Sequence, residues 1–418
     1  MELRKGYKHS ILGPIPVDWI EGTFEDFMTG FSSGQTPYRA IAEYYKGDIP
    51  WITSGELNYN NVTNTIEKIS KEGAKAANLK MIPKGTFLFA ITGLEAAGTR
   101  GSCAITGIEA TTNQSCMALY PKSNVAITPY IFQFYVKYGN WLAFNYCQGT
   151  KQQSYTGGIA KKLPFVAPST IKEQTAIATA LSDADAYISA LEKLIEKKRN
   201  IKQGAMQQLL KPKKGWVVKK LGEIGKCYRG VSYNPERDLH PHDKNNTVRL
   251  LRSNNIQNQI IDLDGLQFVD QEKVKLNQIL QEKDTVICMA NGSKQLVGKS
   301  AIYKVTDNLR YTFGAFMGCY RTNESITSSI YVALNFQSFQ YRNYINVLLS
   351  GSSINNLNPG NIESIEIPFP PIEEQTRIAS IVLDMDNEIS SLEKKLSKSK
   401  MLKQGMMQEL LTGKIRLI

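Results

Sequence analysis

A forty-residue stretch that occurs twice constrains this chain more than any other feature. Residues 171–210 and 372–411 align without a gap, and 21 of the 40 positions are identical. An internal repeat of this length indicates an architecture assembled from repeated units. The repeat therefore predicts two equivalent halves before any other motif is considered.

Both copies have the apolar spacing of a coiled-coil helix. Leu181, Ile188 and Ile195 recur every seven residues in the first copy, and Val382 and Ile389 repeat the pattern in the second. An apolar residue also stands four places before each of them, which gives the a/d spacing of a seam between helices. Two ordinary amphipathic helices on separate cores are the alternative. The copies match on both faces, which favours the paired arrangement.

Charge predicts the direction of the pair. Lys202 and Lys403 occupy equivalent seam positions, so parallel helices would bring two like charges together in a partly dry seam. We therefore expect antiparallel helices, with each lysine near the Gln-Glu pair that starts the other helix. Thr170 and Glu173 have the spacing of a capping box at the first start. Forty residues at 1.5 Å each form a rod of roughly 60 Å, longer than a DNA turn of about 34 Å.

Composition places the chain among soluble globular proteins with two or three domains. It has 418 residues, of which 42% are hydrophobic and 21% charged. No apolar run reaches the roughly 18 residues of a membrane span. The start MELRKGYKHS also lacks the apolar core of a signal peptide. We expect a cytoplasmic protein with no membrane segment.

The distribution of net charge indicates which class of partner the chain can bind. The net charge of +12 is shared, with a basic excess of five in residues 1–210 and of seven in residues 211–418. Basic surface on both halves suits a polyanion that both halves touch.

The chain has no CxxC motif and only three histidines, so its cysteines are interpreted as buried thiols and not as a metal site or a disulfide framework. They are Cys103, Cys116, Cys147, Cys227, Cys288 and Cys319.

Two segments of similar length, about 17–165 and 213–368, lie between the helices. Trp19 in the first matches Trp216 in the second, but the alignment is faint compared with that of the helices. Short β-rich runs in both segments alternate with Gly, Asn and Ser loops, which predicts α+β domains. The strands are expected at 86–92, 101–105, 285–289 and 300–305, and the helices at 130–144 and 326–349.

The loops of both segments are rich in side chains that can bind base edges and phosphates. Asn and Gln can pair bidentately with adenine, and Arg and Lys with guanine. A solvated loop residue is the alternative for each of them taken singly. The first-segment candidates for DNA binding are Gln35, Thr36, Tyr38, Arg39, Ser54, Arg100, Asn113, Gln114, Lys151 and Gln152. The second-segment candidates are Arg229, Ser232, Tyr233, Arg252, Ser253, Asn254, Asn291, Ser293, Lys294, Lys299 and Ser352.

Enzyme motifs are incomplete. The stretch GSKQLVGKS at 292–300 has five residues between its glycines, where a phosphate-binding loop has four. DIPW at 48–51 and NLNPG at 356–360 only partly match the amino-methyltransferase loop, and neither is accompanied by a Gly-rich cofactor loop. We therefore predict no catalytic residue, no metal and no cofactor.

The chain resembles the specificity subunits of type I restriction-modification systems. The resemblance covers the whole chain and depends on its two-fold layout and on paired signatures. These are LPFVAPSTIKEQTAIA (163–178) with IPFPPIEEQTRIAS (367–380), and KQGAMQQLL (202–210) with KQGMMQELL (403–411). One departure lies just before the helices, where LPFVAPST has the single Pro168 and IPFPPI has the doubled Pro370 and Pro371, so the first helix is expected to start from a different turn.

This resemblance implies two β-rich target recognition domains, each reading one half of a bipartite DNA site. Two antiparallel coiled-coil helices would separate them with pseudo-two-fold symmetry and set the gap between the half-sites. It also implies a non-catalytic subunit that recruits two methyltransferase subunits and ATP-dependent restriction (translocase) subunits. The expected boundaries are target recognition domain 1 at 1–165, helix 1 at 166–212, target recognition domain 2 at 213–368, and helix 2 with the tail at 369–418.

Two other classes remain open. One is a stand-alone nucleic-acid-modifying enzyme, which would bind S-adenosylmethionine by itself. The other is a coiled-coil adaptor for proteins alone, which would bind no duplex DNA.

Overall fold

The computed structural model describes residues 5–96, 98–149, 151–350 and 355–418. The chain divides into two compact units, of which unit 1 contains residues 1–192 and 394–418 and unit 2 contains residues 193–393. Each unit combines small sheets with helices, as the predicted α+β class requires. Each of the two long helices contributes one half to each unit.

Unit 1 contains a five-stranded and a three-stranded sheet. Its strands are β1 (Tyr7–Lys8), β2 (Ile15–Pro16), β3 (Ile20–Thr23), β4 (Met28–Ser33), β5 (Ile49–Ile52), β6 (Asn60–Val62), β7 (Glu67–Ile69), β8 (Phe87–Ala90), β9 (Cys103–Thr106), β10 (Thr111–Thr112), β11 (Cys116–Pro121) and β12 (Pro164–Ala167). The larger sheet has the order β4-β11-β8-β9-β6, and the smaller one β10-β5-β7. In the smaller sheet β5 and β10 are parallel.

Aromatic side chains from helices and strands form much of the core of unit 1. The helices are α1 (Phe24–Phe27), α2 (Lys71–Ala76), α3 (Thr128–Tyr146), α4 (Gly157–Lys161) and the first half of α5 (Ile171–Leu209). Phe24, Phe89, Phe134, Tyr135 and Phe165 are all fully buried. Their rings pack at centroid distances between 4.6 and 6.5 Å, and rings of this size dominate the apolar area that a core removes from water.

Unit 2 repeats this construction with two four-stranded sheets. Its strands are β13 (Val217–Lys220), β14 (Gly225–Arg229), β15 (Leu239–His240), β16 (Thr247–Leu251), β17 (Ile256–Gln257), β18 (Ile260–Ile261), β19 (Gln267–Asp270), β20 (Thr285–Cys288), β21 (Ser300–Ile302), β22 (Tyr311–Phe313), β23 (Met317–Thr322) and β24 (Glu366–Phe369). The sheet orders are β14-β23-β20-β21 and β15-β19-β16-β22. Here β16 and β22 form the parallel pair.

One predicted helix of unit 2 is two helices. The helices are α6 (Leu221–Ile224), α7 (Ser329–Asn335), α8 (Phe339–Ser350), α9 (Pro359–Glu363) and the first half of α10 (Ile372–Leu410). The expected helix at 326–349 is wrong because Phe336 ends α7 and Ser338 caps a new start. The Ser338 hydroxyl accepts a hydrogen bond from the Tyr341 N–H at 3.1 Å, which satisfies one of the free donors of α8.

The seam prediction is confirmed in both units. In unit 1, Ile177, Leu181 and Leu191 of α5 are buried, and in unit 2, Ile378 and Val382 of α10 are buried. Each such side chain contributes roughly 1.5–3 kcal/mol when it is fully removed from water. The heptad pattern therefore marks the packed faces of both helices.

The predicted antiparallel direction is confirmed, but the predicted partners of the lysines are wrong. In unit 1, Lys403 pairs with Asp185 and Lys400 with Glu192, so residue numbers fall along one helix as they rise along the other. In unit 2, Lys202 pairs with Asp386 at 2.5 Å. The register decides the pairing, because Lys403 lies opposite Asp185 and Lys202 opposite Asp386, each eleven residues beyond the glutamine near the start of that helix.

The first helix start carries only half of the predicted capping box. The Glu173 N–H donates to the Thr170 hydroxyl at 3.3 Å. The Glu173 carboxylate, however, accepts two hydrogen bonds from Arg416 at 2.5 and 2.8 Å. The carboxylate is 3% exposed, and a buried charge favours a cationic partner over a backbone amide.

Candidate nucleic-acid interface

The parallel strands β5 and β10 of unit 1 bring two candidate loops to one edge. Trp51 pairs with Thr111 and Ile52 with Thr112, so β5 and β10 end side by side. Ser54 follows β5, while Asn113 and Gln114 follow β10. The Asn113 N–H donates to the Ile52 carbonyl at 3.0 Å, which fixes these two loops together.

The loop after β4 joins the same edge. The Thr36 hydroxyl donates to Gln114 Oε1 at 2.7 Å, and Trp51 Nε1 donates to the Gln35 carbonyl at 3.1 Å. Gln35 and Gln114 are exposed, and Thr36 and Ser54 are half-buried. The edge therefore presents amide and hydroxyl groups on a backbone held by hydrogen bonds.

Arg39 is exposed but already has partners. Its guanidinium donates two hydrogen bonds to Glu67, at 2.6 and 2.8 Å, and lies 4.4 Å from the Tyr45 ring centroid. These bonds raise the pKa of Arg39 and lower the pKa of Glu67. The neighbouring Tyr38 is 70% exposed. Arg39 would have to leave or share Glu67 to meet a phosphate.

A second pair of loops continues the edge of unit 1. The Ile91 N–H donates to the Ser115 carbonyl at 2.9 Å, and the Leu94 N–H donates to the Gln153 carbonyl at 3.0 Å. Arg100 donates to the carbonyls of Leu94 and Glu95, at 2.8 and 3.1 Å, so it shapes its own loop. Of the remaining candidates, Lys151 and Gln152 are exposed. We call residues 33–38, 53–56, 91–96, 98–100, 113–115, 148–149 and 151–154 loop edge 1.

Unit 2 builds its edge in the same way. Leu251 of β16 pairs with Phe313 of β22, and the Gly314 N–H donates to the Leu251 carbonyl at 3.0 Å, as Asn113 does in unit 1. The Val231 N–H donates to the Phe313 carbonyl at 2.8 Å. This bond places Ser232 and Tyr233 beside the loop that carries Arg252 and Ser253. We call residues 230–234, 252–255, 289–299, 314–316 and 355–357 loop edge 2.

Asn291 connects the remaining loops of loop edge 2. Its side-chain nitrogen donates to the Ser253 hydroxyl at 3.3 Å, and its N–H donates to the Asn355 carbonyl at 3.4 Å. Asn254, Ser293 and Lys294 are exposed. Ser352 lies outside the described residues.

Two basic candidates in unit 2 hold the backbone of their own unit. Arg229 donates to the carbonyls of Ala315 and Leu357, at 2.9 and 2.5 Å, and to Asn356 Oδ1 at 3.1 Å. Lys299 donates to the Ile256 carbonyl at 2.9 Å. Both therefore position loops, whatever else they contact. A contact with DNA stays a prediction for every candidate.

Arg252 differs from these two. It is half-buried, and its Nε atom is buried without a hydrogen-bond partner within the described part of the chain. The repeat-equivalent residue in unit 1 is Thr53, whose hydroxyl donates to Glu56 at 2.9 Å. A guanidinium at an edge rich in Asn and Ser can bind an anion or a base edge.

Sequence reasoning treated the glutamines near the two helix starts as neighbours of the seam lysines and did not predict their contacts with the domains. Gln174 and Gln375 are both fully buried. Gln174 donates to the carbonyls of Val125 and Pro168, at 2.9 and 3.0 Å, and Gln375 accepts from the Thr327 hydroxyl at 2.7 Å. Each glutamine fastens its helix to the domain of the same unit. Their identity in both repeats was the signal that could have identified them.

The described residues contain no set of His, Cys, Asp and Glu side chains placed to hold a metal ion. The prediction of buried thiols is confirmed for five cysteines, while Cys147 is half-buried. Burial raises the pKa of Cys103 and Cys116 well above the usual range, and that of Cys227 to about 12. In the same part of the chain, no helix is long and apolar enough to cross a membrane.

A protein-family model matches the chain twice. The model describes the type I restriction modification DNA specificity domain, and it matches residues 16–203 and again 213–399. The chain belongs to this family. The predicted resemblance to specificity subunits is therefore confirmed, and so is the fold of two β-rich units with two long antiparallel helices.

Curated relatives carry the same description. The specificity subunit of the type I restriction enzyme EcoKI from Escherichia coli K12 is 39% identical over 165 residues, and that of StySPI from Salmonella potsdam is 37% identical over 165 residues. Each match spans 40% of this chain but only 35% of the relative. The MjaIX specificity subunit of Methanocaldococcus jannaschii is 25% identical over 98% of this chain and 96% of its own length.

Solved structures share the fold. A type I restriction-modification S subunit from M. genitalium has a TM-score of 0.61 at 15% identity, with 98% of both chains covered. A chain from a study of complex assembly in the type I R-M system has a TM-score of 0.57 at 14% identity, with 96% of this chain and 99% of that chain covered. At these identities the likeness supports the architecture of the specificity subunit and no particular contact.

Proposed function

We propose that this specificity subunit reads a bipartite site in double-stranded DNA, one half with each unit. It recruits two methyltransferase subunits and the restriction (translocase) subunits, and it performs no chemistry itself. The observation that carries the proposal is the double match to one DNA specificity domain, at residues 16–203 and 213–399. We place the complex in the cytoplasm, where chromosomal DNA is accessible to it.

Under this proposal, each loop edge faces one half-site. We keep the expected domain boundaries as part of this proposal, with target recognition domains at 1–165 and 213–368 and spacer helices at 166–212 and 369–418. Phosphate contacts by Lys and Arg would set the register on the duplex, and Asn, Gln and Ser would read base edges. Arg252 is compatible with this division, since its buried Nε atom has no hydrogen-bond partner within the described residues.

The two edges share their backbone but differ in side chains. Loop edge 1 has Asn113 and Gln114 after its second parallel strand, whereas loop edge 2 has Gly314 and Ala315 there. Different donors and acceptors on one framework would select different bases. We therefore infer two unlike half-sites, with the long helices setting the gap between them.

Replacing the loops of one unit tests the assignment. The chain is expressed with its methyltransferase subunits, and the methylated sites are mapped by single-molecule sequencing. Exchanging residues 17–165 for those of another family member should change one half-site and leave the other half and the gap unchanged. Matched single substitutions, Gln114→Ala in unit 1 and Asn291→Ala in unit 2, should each relax a different half. A change in both halves from one exchange would contradict the proposal.

The two rival classes have their own outcomes. S-adenosylmethionine binding by the isolated chain, seen as heat in titration calorimetry, would favour a stand-alone enzyme. A purified complex that binds no duplex DNA at low salt would favour a protein adaptor. The proposed function predicts salt-dependent binding, because neutralised phosphates release counterions.

A further inference from the structure

We propose that Phe316 reads the methyl group of a thymine in the half-site bound by unit 2. That half-site then contains an A·T pair at the position facing this residue. The inference rests on the proposed function and adds one specificity-determining contact to it.

Phe316 is a large apolar side chain that is mostly exposed to solvent. It is 68% exposed, although a phenylalanine ring normally belongs in a core. Single exposed apolar residues need no explanation by themselves. Phe316 differs from such residues in its position on loop edge 2 and in the rigidity of its backbone.

The backbone around Phe316 is fixed. The Phe316 carbonyl accepts hydrogen bonds from the N–H groups of Met289 and Ala290, at 2.8 and 3.0 Å. The Met317 N–H donates to the Gly314 carbonyl at 2.8 Å, and Arg229 donates to the Ala315 carbonyl at 2.9 Å. The turn therefore presents the ring from a rigid support, which limits the entropy lost on binding.

The surroundings of Phe316 are polar. Its turn follows β22 and is bonded to Leu251, the residue before Arg252 and Ser253. A ligand that fits this edge offers hydrogen-bonding groups together with an apolar group. The major groove has this combination, because among its base edges only thymine carries a methyl group, and Phe is one of the side chains that contact it.

Unit 1 has the same turn without the ring. The Ser115 carbonyl accepts from the Ile91 N–H at 2.9 Å, as that of Phe316 does from Met289, and the Cys116 N–H donates to the Asn113 carbonyl at 3.4 Å. Ser115 is therefore the repeat-equivalent of Phe316, and it is half-buried. This turn is therefore expected to make an apolar contact in the unit 2 half-site and none in the unit 1 half-site.

Removing single methyl groups from the DNA tests the inference. The half-sites are first mapped with the wild-type complex that contains the methyltransferase subunits. Each thymine of the unit 2 half-site is then replaced by deoxyuridine, and binding is measured by competition at fixed salt. One replacement should weaken binding about three- to four-fold, the effect of one buried methyl-sized group. With Phe316→Ala, thymine and deoxyuridine at that position should bind equally.

Phe339→Ala is the matched control. Phe339 begins α8 outside loop edge 2 and is 70% exposed, so this variant should keep the preference for thymine. Phe316→Leu should keep part of it, and Ser115→Ala should leave it unchanged. Melting temperature and co-purification with the methyltransferase subunits show whether each variant folds.

Three results would overturn the inference. The first is a unit 2 half-site without an A·T pair. The second is a deoxyuridine series that has no effect on the wild-type complex. The third is a Phe316→Ala variant that loses the same affinity for thymine and deoxyuridine duplexes, as a wedge between bases or a protein contact would. A wild-type complex without any bipartite site would instead contradict the proposed function itself.

Discussion

Arg416 fastens the C-terminal tail of unit 1 to two other segments, and its removal should destabilise that unit. Its guanidinium binds Glu173 at the start of α5 and also Asp18, at 2.7 and 2.9 Å. These bonds hold the pKa of the Asp18 carboxyl below its usual range. Arg416→Ala leaves the Glu173 carboxylate buried without its cation.

The loss in free energy of unfolding caused by Arg416→Ala can be estimated from the burial of the ion pair. Removing one partner of a buried ion pair costs about 3–5 kcal/mol. The Arg416 side chain is 26% exposed, so water can partly replace it, and we expect about 2–3 kcal/mol. In a unit of this size, that corresponds to a fall of roughly 5–10 °C in melting temperature. Asp18 is 51% exposed, so Asp18→Ala should cost less than about 1 kcal/mol.

Scanning calorimetry with hydrogen exchange resolved by unit provides the assay, because two units need not melt in one transition. Arg377→Ala in unit 2 is the control, since Arg377 binds Glu374, the repeat-equivalent of Glu173, from an exposed position. It should leave melting unchanged. Adding Glu173→Gln to Arg416→Ala should recover part of the loss. The reasoning is refuted if Arg416→Ala melts within a degree of wild type, or if the second substitution only adds destabilisation.

Three further predictions concern the helices and termini. Four residues inserted after Lys198, about one helical turn, should lengthen the gap between half-sites in the methylation map without changing either half. Burial, with a smaller contribution from Lys414, lowers the pKa of Lys137 to about 8. The folded state therefore binds fewer protons than the unfolded state above that pH, and wild type should gain melting temperature relative to Lys137→Met from pH 8 to about 10.5; parallel pH curves would contradict this. A chain permuted by joining its termini and opened near Lys213 should still co-purify with the methyltransferase subunits.

Helices and strands were predictable because their signals are local. The heptads of the repeat are contained in forty residues, and the β-rich runs around β8 and β20 are continuous in sequence. For the two long helices, the relative direction was predictable from the sequence, but the register was not. Direction followed from like-charge repulsion, but the ion pair of Lys403 with Asp185 depends on a register that distant contacts determine.

The candidate loops were predictable as a group but not residue by residue. Composition singled out Arg100, Arg229 and Lys299 as basic loop residues. Two of them donate hydrogen bonds to carbonyls that are distant in sequence, Arg229 to that of Leu357 and Lys299 to that of Ile256. The sequence alone does not show which backbone carbonyls need a side-chain donor in the folded chain. Phe316 was missed for the opposite reason, because an apolar residue is assigned to the core unless its exposure is known.

The division of each long helix between the units has a consequence for biosynthesis. Unit 2 is one continuous stretch, residues 193–393, whereas unit 1 needs residues 394–418. A nascent chain on the ribosome therefore has all of unit 2 before it has the last segment of unit 1. The first unit is therefore incomplete until the last residues are translated, and the side chains of its core that pack against Leu410 and Leu411 lack these partners until then. A premature stop near codon 394 would therefore damage the N-terminal unit and spare the one nearer the stop.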